Sequence, residues 1–314
     1  MQIPSHTDII NTYERIKPFV HHTPVLSSIS INQICGTEIF FKCENFQKVG
    51  AFKYRGATNA VLSLNDNQKK NGVATHSSGN HAAALALAAA NNGISAHIVM
   101  PENAPEIKKK AVAGYGAKIT FCKPTLEARE STLESIVTKT GATMVHPYNQ
   151  WEVICGQGTA SLELMTQIKN LDIILTPVGG GGLLSGTATY IKTKFPSTQV
   201  FAGEPQMADD AYQSFNKGQL IPVVAPNTIA DGLRTSLGDL TFEIIKNKVD
   251  GIYTVSEETI VEAMRLVWER MKIIIEPSSA VPLAAVLENK ANFKNKKIAI
   301  ILSGGNVDLS NLPF

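Results

Sequence analysis

The chain has 314 residues, of which 44% are hydrophobic and 18% charged, which is enough apolar material for folded cores and excludes a disordered chain. The net charge is +2, so a nucleic-acid partner is not expected, and the densest basic run, Lys108-Lys109-Lys110, is interpreted as a solvated helix face. No segment approaches the roughly 18 apolar residues of a membrane-spanning helix, so no membrane partner is expected. The 4 cysteines form no C-x-x-C pair, which predicts a reduced, cytoplasmic protein.

Short apolar runs alternate with helical patterns along nearly the whole chain. Several runs are continuously apolar, as in strands buried on both faces, and the alternation predicts parallel sheets covered by helices on both sides. The predicted strands are 38–43, 72–76, 96–100, 118–122, 143–146, 173–177, 199–203 and 297–302. The predicted helices are 56–64, 81–91, 106–114, 126–139, 157–168, 183–194, 257–271 and 279–288.

The length fits two domains of ordinary size. Residues 71–147 contain consecutive strand–helix units and are predicted to form a small domain. Residues 1–70 and 148–314 would then form a larger, discontinuous domain. Ligands of open parallel sheets bind beyond the carboxyl ends of the strands, often between domains, so reactive residues are expected at strand-to-helix turns.

The first such turn contains a lysine that follows an aromatic residue, in Phe52-Lys53-Tyr54-Arg55-Gly56. A lysine amine whose pKa is lowered by burial can hold an aldehyde cofactor covalently. The alternative is an ordinary surface lysine in a loop.

The second turn, Ser77-Ser78-Gly79-Asn80-His81, follows a predicted strand and opens an alanine-rich helix. Its hydroxyls, its amide and the free N–H groups at the helix start would bind a small carboxylate. An ordinary N-cap is the alternative, although two serines followed by Gly-Asn exceed what a cap requires.

The third turn consists of glycines between an apolar strand and a helix, in Gly179-Gly180-Gly181-Gly182-Leu183. Such a turn leaves backbone N–H groups free to surround a phosphate. The spacing matches neither the dinucleotide pattern G-x-G-x-x-G nor a P-loop.

The fourth turn, Leu302-Ser303-Gly304-Gly305-Asn306, follows the last predicted strand. The Ser303 hydroxyl can hydrogen-bond a ring nitrogen without carrying charge, whereas a simple strand-end turn is the alternative. Together the four turns offer an amine, a carboxylate site, a phosphate site and a ring-nitrogen partner, a set that fits pyridoxal 5'-phosphate.

These motifs, in this order, resemble the fold-type II pyridoxal-phosphate enzymes, and among them the serine racemase and serine/threonine dehydratase (ammonia-lyase) family. The likeness runs from Thr23-Pro24 to Val307-Asp308. It implies an α/β fold of two three-layer domains with parallel sheets (tryptophan synthase β-like), the larger binding the cofactor, and a homodimer. It also implies that Phe52, Lys53, Asn80, Gly179, Gly180, Gly181, Gly182, Leu183 and Ser303 contact the cofactor and that Ser77, Ser78, Gly79, His81 and Arg129 lie at the substrate.

The resemblance implies loss of water and ammonia from L-serine, L-threonine or 3-hydroxyaspartate, giving a 2-oxo acid, with Lys53 as the base. Ser78 makes serine racemisation possible, because serine racemases carry serine here and many threonine dehydratases carry alanine. Tyr148 and Thr235 depart from the animal serine racemases and favour elimination. The alternatives are a predominant serine racemase, a β-replacement synthase and a non-catalytic ligand sensor.

Two further sites follow from the resemblance. Glu204, the Ala208 carbonyl and Asp210 match the family's metal loop, and such oxygen ligands suit Mg²⁺, Ca²⁺ or Mn²⁺, with an acidic helix start as the alternative. The resemblance also makes ATP a candidate effector. The match is incomplete, because Ala83 stands where the animal serine racemases carry a glutamine. The residues that match ATP contacts in those enzymes are Ser28, Lys48, Tyr115, Lys272 and Asn306.

Overall fold

Two β-sheets organise the protein in the computed structural model, which describes residues 2–77, 79–104 and 106–314, with Ile107 by its backbone alone. One sheet has six strands in the order β1-β2-β10-β7-β8-β9, and the other has four in the order β5-β4-β3-β6. The strands are β1 Val25–Ser27, β2 Glu38–Cys43, β3 Val73–His76, β4 Ala96–Pro101, β5 Lys118–Cys122, β6 Thr143–Met144, β7 Ile173–Pro177, β8 Gln199–Pro205, β9 Gly251–Val255 and β10 Lys297–Leu302.

Helices connect the strands of both sheets. The α-helices are α1 His6–Ile16, α2 Ile29–Cys35, α3 Lys53–Leu62, α4 Asp66–Asn71, α5 Asn80–Ala90, α6 Glu106–Gly114, α7 Leu126–Thr140, α8 Trp151–Gln167, α9 Gly182–Lys194, α10 Asp210–Lys217, α11 Asp239–Lys248, α12 Glu257–Met271, α13 Pro277–Glu288 and α14 Lys290–Phe293. Short 3-10 helices cover Glu44–Phe46, Lys48–Gly50, Gln206–Ala208 and Asp231–Leu233. Among the described residues, no helix is long and apolar enough to cross a membrane.

Both sheets are parallel except for β1, which pairs antiparallel with β2. In the central strand β10, Ile298 and Ile300 pack with α12 and α13, whereas Ala299 packs with α8 and α9 on the opposite face. The small sheet is also covered on both faces, since Val73 packs towards α5 and Ala74 towards α7. These alternating contacts confirm the predicted α/β fold with parallel sheets. The division at residues 70/71 and 147/148 stays a prediction.

Helix α8 begins at Trp151 rather than at the predicted residue 157 and passes through Gly156 and Gly158. A Cβ on Gly156 would lie 2.5 Å from the Cα of Gly56 in α3, and one on Gly158 would lie 2.9 Å from the Gly186 carbonyl oxygen in α9. Glycine at these points lets three helix backbones approach closely, which outweighs its low helix propensity.

A buried ion cluster fixes the start of α3 against the large sheet. The Arg55 guanidinium binds Glu44 through Nε at 2.7 Å and Glu163 through Nη2 at 2.8 Å. Lys42 Nζ lies 2.7 Å from the same Glu163 carboxylate. Two cations and two carboxylates balance in charge, and the cluster holds the helix whose first residue is Lys53.

Candidate active site

Three of the four turns singled out in the sequence meet at one edge of the large sheet, because β2, β7 and β10 are parallel and end there. The Phe52 N–H donates to the Ser303 carbonyl at 3.0 Å, which joins the turns after β2 and β10. A Cβ on Gly179, after β7, would lie 2.9 Å from the Leu233 Cα. The carboxyl end of β3 carries Ser77, at the edge of the small sheet.

Lys53 is the first residue of α3, and its Nζ donates to the Pro147 carbonyl at 2.8 Å. The ring centroids of Phe52 and Tyr148 lie 5.2 Å and 6.0 Å from this nitrogen. Burial lowers the pKa of Lys53 to about 8, although the nearby Glu276 carboxylate opposes the fall. The amine is therefore much more available as a nucleophile or base near neutral pH than an ordinary lysine.

The glycine turn presents buried N–H groups that have no acceptor within the described parts of the chain. Gly179, Gly180, Gly181, Gly182 and Leu183 are all buried, and none of their N–H groups donates a hydrogen bond there. Buried N–H groups of this kind need an acceptor, and a phosphate supplies several. The turn therefore fits a phosphate group.

Thr241, in the first turn of α11, hydrogen-bonds to the backbone of the glycine turn. Its hydroxyl donates to the Gly180 carbonyl at 2.9 Å, and its own N–H donates to Asn149 Oδ1 at 3.3 Å. Asn149 Oδ1 also accepts from the Leu240 N–H at 3.0 Å, so it caps the start of α11. These contacts fix the direction in which the Gly180 peptide points.

Replacing Thr241 with valine is expected to weaken cofactor binding by about tenfold, because the Gly180 carbonyl loses its buried hydrogen bond. Turnover at saturating cofactor should change much less. Titration of apoprotein with pyridoxal phosphate gives the dissociation constant, and Thr241→Ser is the matched control that keeps the hydroxyl. An unchanged constant in Thr241→Val would contradict this role.

Ser303 follows β10 and is 3% exposed. Its hydroxyl lies 3.0 Å from the hydroxyl of Ser279, which also bonds to both backbone groups of Gly304. Among the described residues, its side chain makes no other hydrogen bond. An uncharged hydroxyl here suits a neutral ring nitrogen rather than a protonated one.

The substrate turn lies beside these groups, and Ser78 falls outside the described residues. The Gly79 N–H donates to Ser77 Oγ at 3.3 Å, which folds the turn back on itself. Asn80 begins α5 and donates through Nδ2 to Glu276 Oε1 at 3.0 Å. His81 Nε2 lies 3.1 Å from the Val145 carbonyl, and burial lowers the pKa of His81 to about 3, so the ring is neutral.

Arg129 lies half-buried on α7, where its Nε donates to the Thr125 carbonyl at 3.4 Å. Burial, and then the Arg129 charge, lower the pKa of His76 at the end of β3. Burial also raises the pKa of Tyr148, while Arg129 opposes that change. The charge of Arg129 therefore acts on His76 and Tyr148, and its place at the substrate stays a prediction.

Glu276 is a charged group of the site that no sequence pattern indicated. It is 4% exposed and accepts hydrogen bonds from Asn80 and, at 3.2 Å, from the Asn306 N–H. Burial, and then the Asp231 charge, raise the pKa of Glu276 to about 7. The carboxyl can therefore hold or release a proton near neutral pH.

The candidate metal residues Glu204 and Asp210 are both buried. Glu204 accepts from the N–H groups of Ala211 and Tyr212, but neither carboxyl oxygen of Asp210 has a hydrogen-bond partner among the residues that the structure describes. Burial raises the pKa of Asp210 to about 7. A divalent cation would satisfy these oxygens, and the buried Ala208 lies between the two carboxylates in sequence. Within the described ranges, no group of three or more His, Cys, Asp or Glu side chains could hold a metal ion.

The candidate nucleotide-binding residues lie on different elements of the fold. Lys48 Nζ is 5.6 Å from the Tyr54 ring centroid, and Asn306 Nδ2 donates to the Val49 carbonyl at 2.7 Å, so these two are close together. Ser28 caps α2, and Lys272 ends α12 with a φ of 60°. Tyr115 packs against the apolar core beside α5.

The interpretation of Lys108-Lys109-Lys110 as a solvated face is wrong for Lys108. Its Nζ pairs with Asp231 Oδ2 on the opposite side of the cleft, so the side chain is drawn inward. Lys109 pairs with Glu106 on its own helix, and Lys110 is exposed. A sequence pattern could not find the Lys108 partner, which lies 123 residues away.

An amine of lowered pKa, a phosphate site and an uncharged ring-nitrogen partner in one cleft define an enzyme that binds pyridoxal phosphate. A family model described as "Pyridoxal-phosphate dependent enzyme" matches residues 16–304. The chain belongs to this family.

Named proteins with similar sequences and structures show which members of this family the chain resembles. The chain is 50% identical over 314 residues to β-hydroxyaspartate dehydratase from Paracoccus denitrificans, covering 100% of both chains. It is 52% identical to serine racemase from Dictyostelium discoideum, whose structure gives a TM-score of 0.93 over 97% of this chain and 99% of that one. A threonine deaminase of known structure, from T.th., is 43% identical, with a TM-score of 0.94 over 98% of this chain and 100% of that one. These findings confirm the predicted family, fold and cofactor class.

Proposed function

We propose that this protein removes water and ammonia from a small hydroxy amino acid, L-serine, L-threonine or 3-hydroxyaspartate, and gives a 2-oxo acid. The observation that carries the proposal is the partly buried Lys53 amine, which shares a cleft with N–H groups of the glycine turn that have no acceptor among the described residues. The relatives named for hydroxyaspartate dehydration, threonine deamination and serine racemisation support this reaction class.

When bound, pyridoxal phosphate supplies an aldehyde that takes up an amine and a ring that accepts the electron pair of the α-carbon. The N–H groups of residues 179–183 would bind its phosphate, and Phe52 and Asn80 would flank its ring. The Ser303 hydroxyl would face the ring nitrogen without protonating it fully. A neutral ring nitrogen withdraws electrons weakly, which favours prompt loss of a β-hydroxyl.

Lys53 Nζ is the group that would move the proton. In its neutral form it accepts the α-proton of the substrate, and the β-hydroxyl leaves as water after gaining a proton. Hydrolysis of the remaining enamine releases ammonia and the 2-oxo acid, so one amino acid gives one 2-oxo acid and one ammonia. Ser77, Gly79, Asn80 and His81 would hold the substrate carboxylate at the start of α5, with Arg129 at the cleft entrance.

Serine racemisation is the second candidate function. It is favoured by the relatives named serine racemase, among them the human protein at 48% identity. Ser78, the residue that would return a proton to the opposite face of the α-carbon, falls outside the described residues. Its part in the reaction stays a prediction.

The experiment that tests the function measures products from the holoenzyme with L-serine, L-threonine and 3-hydroxyaspartate in turn. We expect 2-oxo acid and ammonia in equal amounts, and D-serine at a lower rate from L-serine. D-serine formed faster than pyruvate would favour the racemase, and cysteine formed from O-acetylserine and sulfide would favour the β-replacement synthase. No turnover of any substrate would overturn the proposal.

The reactivity of Lys53 should report its environment directly. With a pKa of about 8, the amine is neutral above that pH. Labelling of apoprotein at Lys53 by an amine-reactive reagent should therefore increase up to about pH 8 and then level off. An ordinary lysine keeps gaining reactivity up to about pH 10. Mass spectrometry of the labelled peptides measures the pH dependence of labelling at Lys53 and at the other lysines. A pH profile of Lys53 like that of the other lysines would contradict the lowered pKa.

We also propose a divalent cation, Mg²⁺ or alternatively Ca²⁺ or Mn²⁺, bound by Glu204, the Ala208 carbonyl and Asp210. The buried Asp210 oxygens, which have no hydrogen-bond partner in the described part of the chain, support this site. Two further proposals rest on the resemblance: a homodimeric assembly, and an ATP effector that contacts Ser28, Lys48, Tyr115, Lys272 and Asn306. A cytoplasmic location is also proposed, from the cysteine usage of the sequence.

Removing the cation with a chelator should lower the melting temperature by about 5 °C, because a ligand that binds only the folded state stabilises it. Differential scanning fluorimetry measures the shift. Asp210→Asn should abolish the effect of the chelator, whereas Asp209→Asn should keep it. A chelator effect of the same size in Asp210→Asn would contradict the assignment.

A further inference from the structure

Lys108 and Asp231 form an ion pair across the mouth of the cleft. Lys108 lies in the first turn of α6, and Asp231 opens the 3-10 helix Asp231–Leu233 beside the large sheet. Their side chains are 22% and 44% exposed. A long lysine side chain that could reach solvent instead points inward to a partner from a different part of the fold.

The Lys108 ammonium also lies next to the turn assigned to the substrate. A Cβ on Gly79 would lie 3.9 Å from Lys108 Nζ, and among the described residues beyond its chain neighbours no other atom would come as close to it. On the opposite side, the Gly232 N–H donates to Ser278 Oγ at 3.1 Å, and Leu233 packs against Gly179 of the glycine turn. Lys108 thus reaches from the substrate turn to the loop that supports the phosphate site.

The charges of Lys108 and Asp231 shift the pKa of a carboxyl group inside the cleft. Burial and Asp231 raise the pKa of Glu276, and Lys108 opposes that change. Glu276 in turn bonds to Asn80, the residue next to Gly79. The charges of Lys108 and Asp231 therefore act on a buried carboxyl that is bonded to the substrate turn.

We propose that Lys108 binds the second carboxylate of a dicarboxylic hydroxy amino acid such as 3-hydroxyaspartate. This inference rests on the proposed function. Within the cleft, the start of α5 is already assigned to the α-carboxylate, and Lys108 Nζ is a cation beside that turn, within reach of a second carboxylate on the same small substrate. A substrate without this carboxylate leaves Lys108 paired with Asp231.

Asp231 gives the lysine a partner when no dicarboxylate is bound. It also repels and competes with the incoming carboxylate, so it lowers the preference for such substrates. A hydrogen bond between two charged groups contributes more binding free energy than one between neutral groups. The contact between Lys108 and a second carboxylate would therefore discriminate strongly between dicarboxylic substrates and serine. The pair therefore sets the ratio of activity on 3-hydroxyaspartate to activity on serine.

The test compares kcat/KM for 3-hydroxyaspartate and for L-serine in holoenzyme variants. Lys108→Met should lower the value for 3-hydroxyaspartate by about tenfold or more and the value for serine by less than about threefold. Lys108→Arg keeps the charge and should keep most of the preference. Lys109→Met is the matched control, because the Lys109 side chain is 18% exposed, close to the 22% of Lys108, and pairs with Glu106 within its own helix.

Asp231→Asn provides an independent measurement, since it frees Lys108 without removing it. The ratio of the two kcat/KM values should then rise by about threefold or more. An equal loss for both substrates in Lys108→Met, or an unchanged ratio in both variants, would overturn the inference. Wild-type enzyme that converts serine but not 3-hydroxyaspartate would also overturn it and would leave the proposed function standing. Turnover of neither substrate would overturn both.

Discussion

Replacing Lys53 with alanine is expected to lower 2-oxo acid formation by about 1,000-fold or more. The variant loses both the amine that would attach the cofactor and the base that would take the α-proton, and a positioned acid or base alone contributes about 100- to 10,000-fold. Within the described ranges, Lys53 Nζ makes a single hydrogen bond, to the Pro147 carbonyl, so the fold should survive its removal. Coupled assay of pyruvate from L-serine measures the loss.

Lys192→Ala is the matched control, because Lys192 pairs with Asp250 at 3.0 Å away from the cleft. Circular dichroism should show equal helix content in both variants and in the wild type. A Lys53→Ala enzyme that keeps a tenth of the activity would contradict the assignment of this residue.

Replacing Arg55 with methionine is expected to lower the free energy of unfolding by about 3 to 5 kcal/mol. The guanidinium is fully buried and bonds to Glu44 and Glu163, and Lys42 alone cannot neutralise two buried carboxylates. Breaking a buried ion cluster leaves uncompensated charge, which costs far more than the loss of an exposed pair. Urea unfolding followed by circular dichroism measures the change.

The control for this prediction is Arg265→Met, which removes an exposed pair with Glu269 on one face of α12. That change should cost less than about 1 kcal/mol. An Arg55→Met protein within about 1 kcal/mol of the wild type would show that the cluster does not stabilise α3.

The main strands and helices could be predicted because buried parallel strands form continuous apolar runs. The strands that escaped prediction, β1 and β9, lie at the two edges of the large sheet. β1 has only three residues, and β9 mixes glycine and threonine with its apolar residues, so neither forms a continuous apolar run. Helix α1 is amphipathic and has a capping box from Ser5 to Asp8, a signal that could have found it. The true start of α8 depended on close contacts of Gly156 and Gly158, which no local pattern reveals.

The core of the candidate site was also predictable, since the glycine turn and Ser303 lie at the carboxyl ends of β7 and β10 and Lys53 begins the helix that comes after β2. Glu276, Thr241 and Asp231 were not, because each acts through a partner distant in sequence: Glu276 through Asn80, Thr241 through Gly180, and Asp231 through Lys108. Such contacts depend on how the two sheets face each other. Composition and local spacing carry no information about that arrangement.

Borohydride reduction of the holoenzyme, followed by mass spectrometry of its peptides, tests the central claim most directly. Reduction fixes the cofactor to the amine that holds it, and the mass of one phosphopyridoxyl group should appear on the peptide that contains Lys53. The same treatment of Lys53→Ala should yield no such lysine-linked product. Attachment to a different lysine in the wild type, or a reducible lysine-linked chromophore in Lys53→Ala, would contradict the account.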